Sequence, residues 1–179
     1  MSLDRKFRLK KLLDDSAIKK RVRKLSKEII SYFPEDEDLI VICVLNGSMI
    51  FCSDLIKNMK ENVILDTIRV KSYTKTSRGD IRVLNDTTVD IEGKKVLIVE
   101  DIVDTGQTIN FLYNHIKEKK PADIKIVSFL FKPDVYKLNV NIDWVGFNID
   151  NNFVIGYGLD YDEKFRNLNS VYRLINEKE

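Results

Sequence analysis

The sequence predicts an α/β fold with a mostly parallel central sheet flanked by helices, and three observations carry that prediction. Two runs, residues 39–45 and 96–99, are aliphatic without polar alternation, the composition of strands covered on both faces. Each is followed by a glycine-containing turn, Asn46-Gly47-Ser48 after the first and Asp104-Thr105-Gly106 after the second. Each turn leads into apolar residues at helical spacing. Strand, turn and helix in this order build parallel sheets, whose ligands bind beyond the carboxyl ends of the strands. At 179 residues and 44% hydrophobic content, residues 1–179 are expected to form a single domain.

Residues 17–33 place Ile18, Val22, Leu25, Ile29 and Phe33 at steps of three and four, with Asp14, Asp15 and Ser16 available as N-cap. The spacing predicts an amphipathic helix on the sheet. Its basic face, with Lys19, Lys20, Arg23 and Lys24, lacks interleaved aromatics and reads as a solvated face rather than a nucleic-acid patch. Pro34 and the acidic residues 35–38 end it, and the strand at 39–45 follows. Ile50, Phe51, Leu55, Ile56 and Met59 predict a second helix.

Residues 63–70 are rich in β-branched side chains and predict a strand, and 81–84 resume extended character. Between them the polar segment 71–80 is a candidate mobile lid, so the two strands form a flap. Residues 95–99 lead into the central motif, and Ile109, Leu112, Tyr113 and Ile116 predict the helix after it. Pro121 is a stop, 124–131 is another buried strand, and 144–149 and 153–157 are short extended pieces.

Composition excludes several function classes. Thirty basic and 28 acidic residues give a net charge of +2, which favours neither a nucleic-acid nor a membrane partner. Cys43 and Cys52 lack zinc-site spacing and read as reduced, buried thiols. No apolar run approaches the roughly 20 residues of a spanning helix, and residues 1–11 have no signal-peptide core, so a soluble cytoplasmic protein is expected.

The chemistry concentrates at residues 96–108, where the strand ends in Glu100 and Asp101 and a turn opens a helix. Residues 104–108 offer successive backbone N–H groups and two threonine hydroxyls at a helix N-terminus, a site suited to a phosphate monoester. The stretch lacks the Walker A lysine and the three glycines of a dinucleotide fold. Two carboxylates beside a phosphate need hydroxyls or a divalent cation as partners, and a ribose 5-phosphate with magnesium satisfies both needs.

This stretch is similar to the phosphoribosyl-pyrophosphate signature of type I phosphoribosyltransferases, and its form Glu-Asp-Ile-Val-Asp-Thr-Gly resembles the hypoxanthine-guanine branch. Asn46 and Gly47 lie where that family has its pyrophosphate loop, Ser72 and Tyr73 where it has its lid dipeptide, and Lys132 where it has a purine-reading lysine. Residues 153–161 and 165–168 resemble its base-binding and C-terminal segments, which form a small base-binding hood.

The resemblance implies magnesium-dependent transfer of 5-phosphoribosyl from phosphoribosyl pyrophosphate to N9 of a 6-oxopurine. It gives the ribose 5-phosphate to Glu100, Asp101, Asp104, Thr105, Gly106, Gln107 and Thr108, and pyrophosphate to Asn46, Gly47 and Arg166. Asp104 becomes the catalytic proton carrier at purine N7. The purine falls to Lys132, Phe153, Val154 and Asp160, and magnesium to Glu100, Asp101 and Asp160. A Lys132 ammonium facing the 6-oxo group would be left unpaired by adenine. A homodimer or homotetramer is also implied. Asn46 and Gln107 stand where relatives carry lysine, which weakens the expected hold on phosphoribosyl pyrophosphate. A cis peptide is expected at Asn46-Gly47.

Singly, most of these residues have ordinary readings: a solvated strand end for Glu100 and Asp101, core for Phe153, surface for Lys132 and ion pairing with Asp162 or Glu163 for Arg166. His115 reads as surface or partly packed. Two other functions stay open: xanthine or another base as substrate, and a non-catalytic regulator that senses phosphoribosyl pyrophosphate and binds nucleic acid.

Overall fold

The computed structural model describes residues 7–33, 37–59, 63–73 and 80–176, with residues 7, 72, 73, 80 and 176 described through their backbone only. A six-stranded sheet runs in the order β4-β3-β2-β5-β6-β7, formed by β2 (Leu39–Leu45), β3 (Val63–Tyr73), β4 (Asp80–Asn85), β5 (Lys95–Val103), β6 (Asp123–Phe131) and β7 (Trp144–Asn148). All neighbours are parallel except β4, which runs antiparallel to β3. Three helices accompany it: α1 (Asp15–Tyr32), α2 (Met49–Ile56) and α3 (Gln107–Glu118).

The unalternating runs have the predicted cause, because both faces of the sheet are covered. On one face Val41 and Cys43 of β2 and Leu97 and Val99 of β5 pack with Ile18, Val22, Leu25 and Ile29 of α1. On the other, Ile40, Ile42, Val96 and Ile98 pack with Ile109, Leu112 and Ile116 of α3. Each such fully buried aliphatic side chain contributes about 1.5–3 kcal/mol of transfer free energy.

Helix α1 starts where its cap residues predict: Asp14 accepts the Ala17 N–H at 2.8 Å and the Ser16 hydroxyl at 2.6 Å. Arg21 then ties the helix to β7 by donating to the carbonyls of Val145 at 2.6 Å and Gly146 at 3.0 Å. Among the described residues, no helix is long and apolar enough to cross a membrane.

A second sheet has the order β1-β9-β8, antiparallel throughout, made by β1 (Phe7–Leu13), β8 (Val154–Ile155) and β9 (Val171–Asn176). It takes in Val154 and Ile155 of the segment expected to form a hood. Its two outer strands in sequence are not apparent from local pattern: the partner of Phe7 is Asn176, at the other end of the described chain.

The flap is a hairpin in which Ser72 pairs with Ile81 and Tyr73 with Asp80. Residues 74–79 of the expected lid lie outside the described residues. Strand β2 lies between β3 and β5, so the chain runs outward in both directions from the β2/β5 neighbourhood, and the crevice beyond their carboxyl ends is the expected ligand position.

Candidate active site

Two cavities open at that crevice. One, about 280 Å³, is lined by the continuous stretch 100–109. The other, about 380 Å³, is lined by residues from five segments, including Asn46, Gly47, Arg69, Lys71, Asp160 and Arg166. Glu100, Asp101 and Thr108 line both, so the acids at the end of β5 stand at the junction.

The smaller cavity has the form of an anion cradle. Gly106 is N-cap of α3 with φ 89, a left-handed conformation that glycine adopts without cost, and no side chain caps the helix. Tyr136 occupies the space a Cβ on Gly106 would take, so the glycine is required sterically as well. The first amides of α3 therefore retain capacity for an external anion, assisted by the helix dipole.

At the junction Glu100 is 6% exposed and its Oε2 has no hydrogen-bond partner. Burial, reinforced by the Asp101 charge, pushes the Glu100 carboxyl well above its ordinary range. Burial also pushes Asp101 up, against the lowering effect of hydrogen bonds that include Ile102 N–H to Oδ1 at 2.8 Å. A buried Glu100 with an unsatisfied oxygen, beside the half-buried Asp101 carboxylate, suits a hydroxyl donor or a hard cation.

The loop after β2 is wedged between two groups. The Asp101 carboxylate fills the position a Cβ on Gly47 would occupy, and the Gly47 carbonyl fills the one a Cβ on Gly158 would occupy. Gly158, at φ 100, also requires its glycine conformationally. The cis peptide joins Leu45 to Asn46, one bond earlier than expected.

Arg166 enters the larger cavity from the far side. Its Nη2 is 2.8 Å from Asp160 Oδ1 and 3.2 Å from Glu163 Oε2, and its Nη1 donates to the Gly158 carbonyl at 2.8 Å. Asp160 is therefore held by Arg166 on one oxygen and by the Glu163 N–H on the other. Among the described residues, no group of three or more His, Cys, Asp or Glu has the arrangement of a metal cage. Glu100 and Asp101 nevertheless fit a magnesium ion, through hard oxygens and the unsatisfied Oε2, provided substrate oxygens complete the shell; magnesium commonly binds through one or two carboxylates plus substrate phosphates.

The residues expected at the purine lie beyond Asp104. Lys132, 7% exposed, donates from Nζ to Asp104 Oδ2 at 2.8 Å and to Asn151 Oδ1 at 3.4 Å. Val154 is buried in the hood. Phe153 is 56% exposed rather than core, with Tyr161 edge-on at 5.8 Å, and lines neither of these two cavities. His115 pairs with Asp86 at 3.0 Å on the outer part of α3, away from both cavities.

Sequence reasoning missed Arg69, Lys71 and Glu163 as cavity residues and Asn151 as a partner of Lys132. Arg69 and Lys71 at the end of β3 carried a signal, because the carboxyl end of a parallel strand is where ligands bind.

Residues 8–162 match the family described as the phosphoribosyl transferase domain. The chain is 41% identical over 167 residues to the hypoxanthine-guanine phosphoribosyltransferase of Aquifex aeolicus, covering 92% of this chain and 94% of that protein. Its structure is similar, with a TM-score of 0.87 and 36% identity, to a crystal structure of a hypoxanthine-guanine phosphoribosyltransferase from Bacillus anthracis, over 95% of this chain and 98% of that one. The hypoxanthine phosphoribosyltransferase of Trypanosoma cruzi in complex with the product IMP gives a TM-score of 0.85 at 37% identity, over 98% of this chain and 97% of that one.

Proposed function

The chain belongs to the phosphoribosyltransferase family, and from that premise we propose that it is a purine-salvage enzyme of the hypoxanthine-guanine branch. It transfers the 5-phosphoribosyl group of phosphoribosyl pyrophosphate to N9 of hypoxanthine, with guanine as a second substrate, and releases pyrophosphate. The observation that carries this reading is the junction of two cavities at Glu100 and Asp101, one built as an anion cradle and the other reaching Gly47 and Arg166. A sugar bearing a phosphate at one end and a pyrophosphate at the other spans such a pair.

In this reading the 5-phosphate binds the amides and hydroxyls of residues 104–108, and Glu100 and Asp101 hold the ribose diol. As the bond from the anomeric carbon to pyrophosphate lengthens, positive charge develops on the ribose and these acids stabilise it. The Asn46-Gly47 backbone and Arg166 receive the negative charge on the leaving group. N9 of the purine forms the new bond, and Asp104 takes the proton that the ring loses at N7. Lys132 donates to the 6-oxo oxygen, Phe153 stacks on the ring and Val154 reads its edge through the backbone. Closure of the flap by Ser72 and Tyr73 excludes water.

Glu100 and Asp101, with Asp160 as a further contact, would hold magnesium, which would neutralise charge on the pyrophosphate and orient the ribose hydroxyls. The assembly is a homodimer or homotetramer in this reading, which sedimentation distinguishes from a monomer.

The test is an assay of the purified protein with magnesium, phosphoribosyl pyrophosphate and each of hypoxanthine, guanine, xanthine and adenine. IMP and GMP are the expected products. Failure to form a nucleotide from any 6-oxopurine removes the reading.

A further inference from the structure

Arg166 is the cation given to pyrophosphate above, yet its guanidinium is already committed to two carboxylates and a carbonyl. The two carboxylates differ in freedom. Asp160 is pinned, since its Oδ2 accepts the backbone N–H of Glu163 at 2.9 Å while Oδ1 holds Arg166. Glu163 is 78% exposed along its side chain and makes the longer contact, 3.2 Å.

The backbone is shaped to keep it there. Asp162, Glu163 and Phe165 have φ 53, 60 and 73, three left-handed non-glycine residues within one turn. Each such residue costs about 1–2 kcal/mol, and strain of this kind persists where surrounding contacts over-determine it. The contacts here are the Asp160 carboxylate on Glu163 N–H, the paired Tyr161 and Lys164 backbones, and Gly158 N–H donating to the Arg166 carbonyl at 2.9 Å. Their result is to hold an exposed carboxylate beside the cation, in the lining of a cavity that also includes Glu100, Asp101 and Asp160.

We propose that Glu163 is a positioning residue that competes with pyrophosphate for Arg166, yielding the guanidinium when the anion enters and reclaiming it as the anion leaves. The role rests on the proposed phosphoribosyl transfer. Before substrate binds, Glu163 keeps the arginine pointed into the cavity. With pyrophosphate present, its charge repels the anion and shortens its stay. A residue of purely structural importance would weaken ligand binding when altered, whereas a competitor strengthens it.

The test is calorimetric titration of inorganic pyrophosphate, with magnesium, into the full chain and its Glu163→Gln and Glu163→Asp variants, with IMP titrated separately. Glu163→Gln should bind pyrophosphate about two- to fivefold more tightly, the range set by one partly exposed ion pair. Glu163→Asp should stay closer to the unaltered chain, and IMP affinity should be the same in all three. The gain should vanish near 1 M salt, where charges are screened within about 3 Å. Equal or weaker pyrophosphate binding by Glu163→Gln, with IMP binding intact, overturns the proposal. Absence of any phosphoribosyl transfer by the unaltered chain overturns the proposed function instead, a result read in a different assay.

Discussion

Lys132 and Asp104, 28 residues apart in the chain, meet in an ion pair of 2.8 Å that joins the end of β6 to the turn after β5. Lys132 is almost wholly buried, while the Asp104 side chain is about half exposed, with side-chain exposures of 9% and 46%. In the proposed reading, the cation that reads the purine is thus aimed by the acid that carries the purine proton. A base entering beside Asp104 finds the ammonium already desolvated and directed.

Replacing Asp104 by Asn keeps the shape and removes the proton carrier. Turnover should fall about 10²- to 10⁴-fold, the usual contribution of a general acid or base, with little change in IMP affinity. Steady-state rates together with direct IMP titration check this, and a rate equal to that of the unaltered chain would remove Asp104 from the mechanism.

Lys132→Ala should act on selectivity instead. The unaltered site leaves a buried ammonium facing a donor when adenine binds, a penalty of about 1–3 kcal/mol that vanishes with the lysine. The ratio of kcat/KM for hypoxanthine over adenine should therefore drop by roughly 10- to 100-fold. An unchanged ratio would assign base reading to other groups.

Gly47 tests the packing of the crevice. A methyl group there meets the Asp101 carboxylate, and the loop cannot retreat because its carbonyl abuts Gly158. Gly47→Ala should cost about 1–3 kcal/mol by overpacking and raise KM for phosphoribosyl pyrophosphate more than KM for the base. Thermal unfolding and a two-substrate kinetic analysis separate these effects.

Much of this arrangement was legible in the sequence because burial on both faces writes a continuous aliphatic run. Residues 39–45 and 96–99 have no polar position, and each leads to a glycine turn, so the sheet, the crevice and the cradle all follow from local pattern. Strands β1 and β9 were not legible: they are held by each other across the whole chain, and Arg8, Lys10 and Lys11 interrupt the apolar pattern of β1. The steric need for Gly47 was equally hidden, because it comes from a side chain 54 positions away. Turn preference shows that glycine fits, while only the fold shows that Asp101 excludes everything else. Glu163 was visible as an ion-pair partner for Arg166, but its position at the cavity mouth depends on left-handed residues that local composition does not announce.

The buried Glu100 at the end of β5 gives the ligand-free protein a distinctive response to pH. Burial, with the Asp101 charge next in effect, raises the Glu100 carboxyl well above its ordinary 4.5. A carboxyl whose folded value is raised binds its proton more tightly folded than unfolded. Its stabilising contribution is full below the unfolded value near 4.5 and disappears as pH rises through the raised folded value. Above that point the protein carries an uncompensated buried charge. Glu100→Gln removes the charge at nearly constant shape, so the ligand-free variant should melt higher than the unaltered chain at pH 8, by at least the 2–4 °C that about 1 kcal/mol produces in a chain of this size. The difference should shrink as pH falls below the raised folded value towards the unfolded value near 4.5, because the unaltered Glu100 is then protonated in both states. Magnesium with phosphoribosyl pyrophosphate should reverse the order at pH 8, because these ligands compensate the charge in the unaltered chain and find no carboxylate in the variant. Melting curves across this pH range, with and without the ligands, carry the test. A variant that melts lower than the unaltered chain at every pH would mean that Glu100 is satisfied within the fold and does not wait for a cation or a sugar hydroxyl.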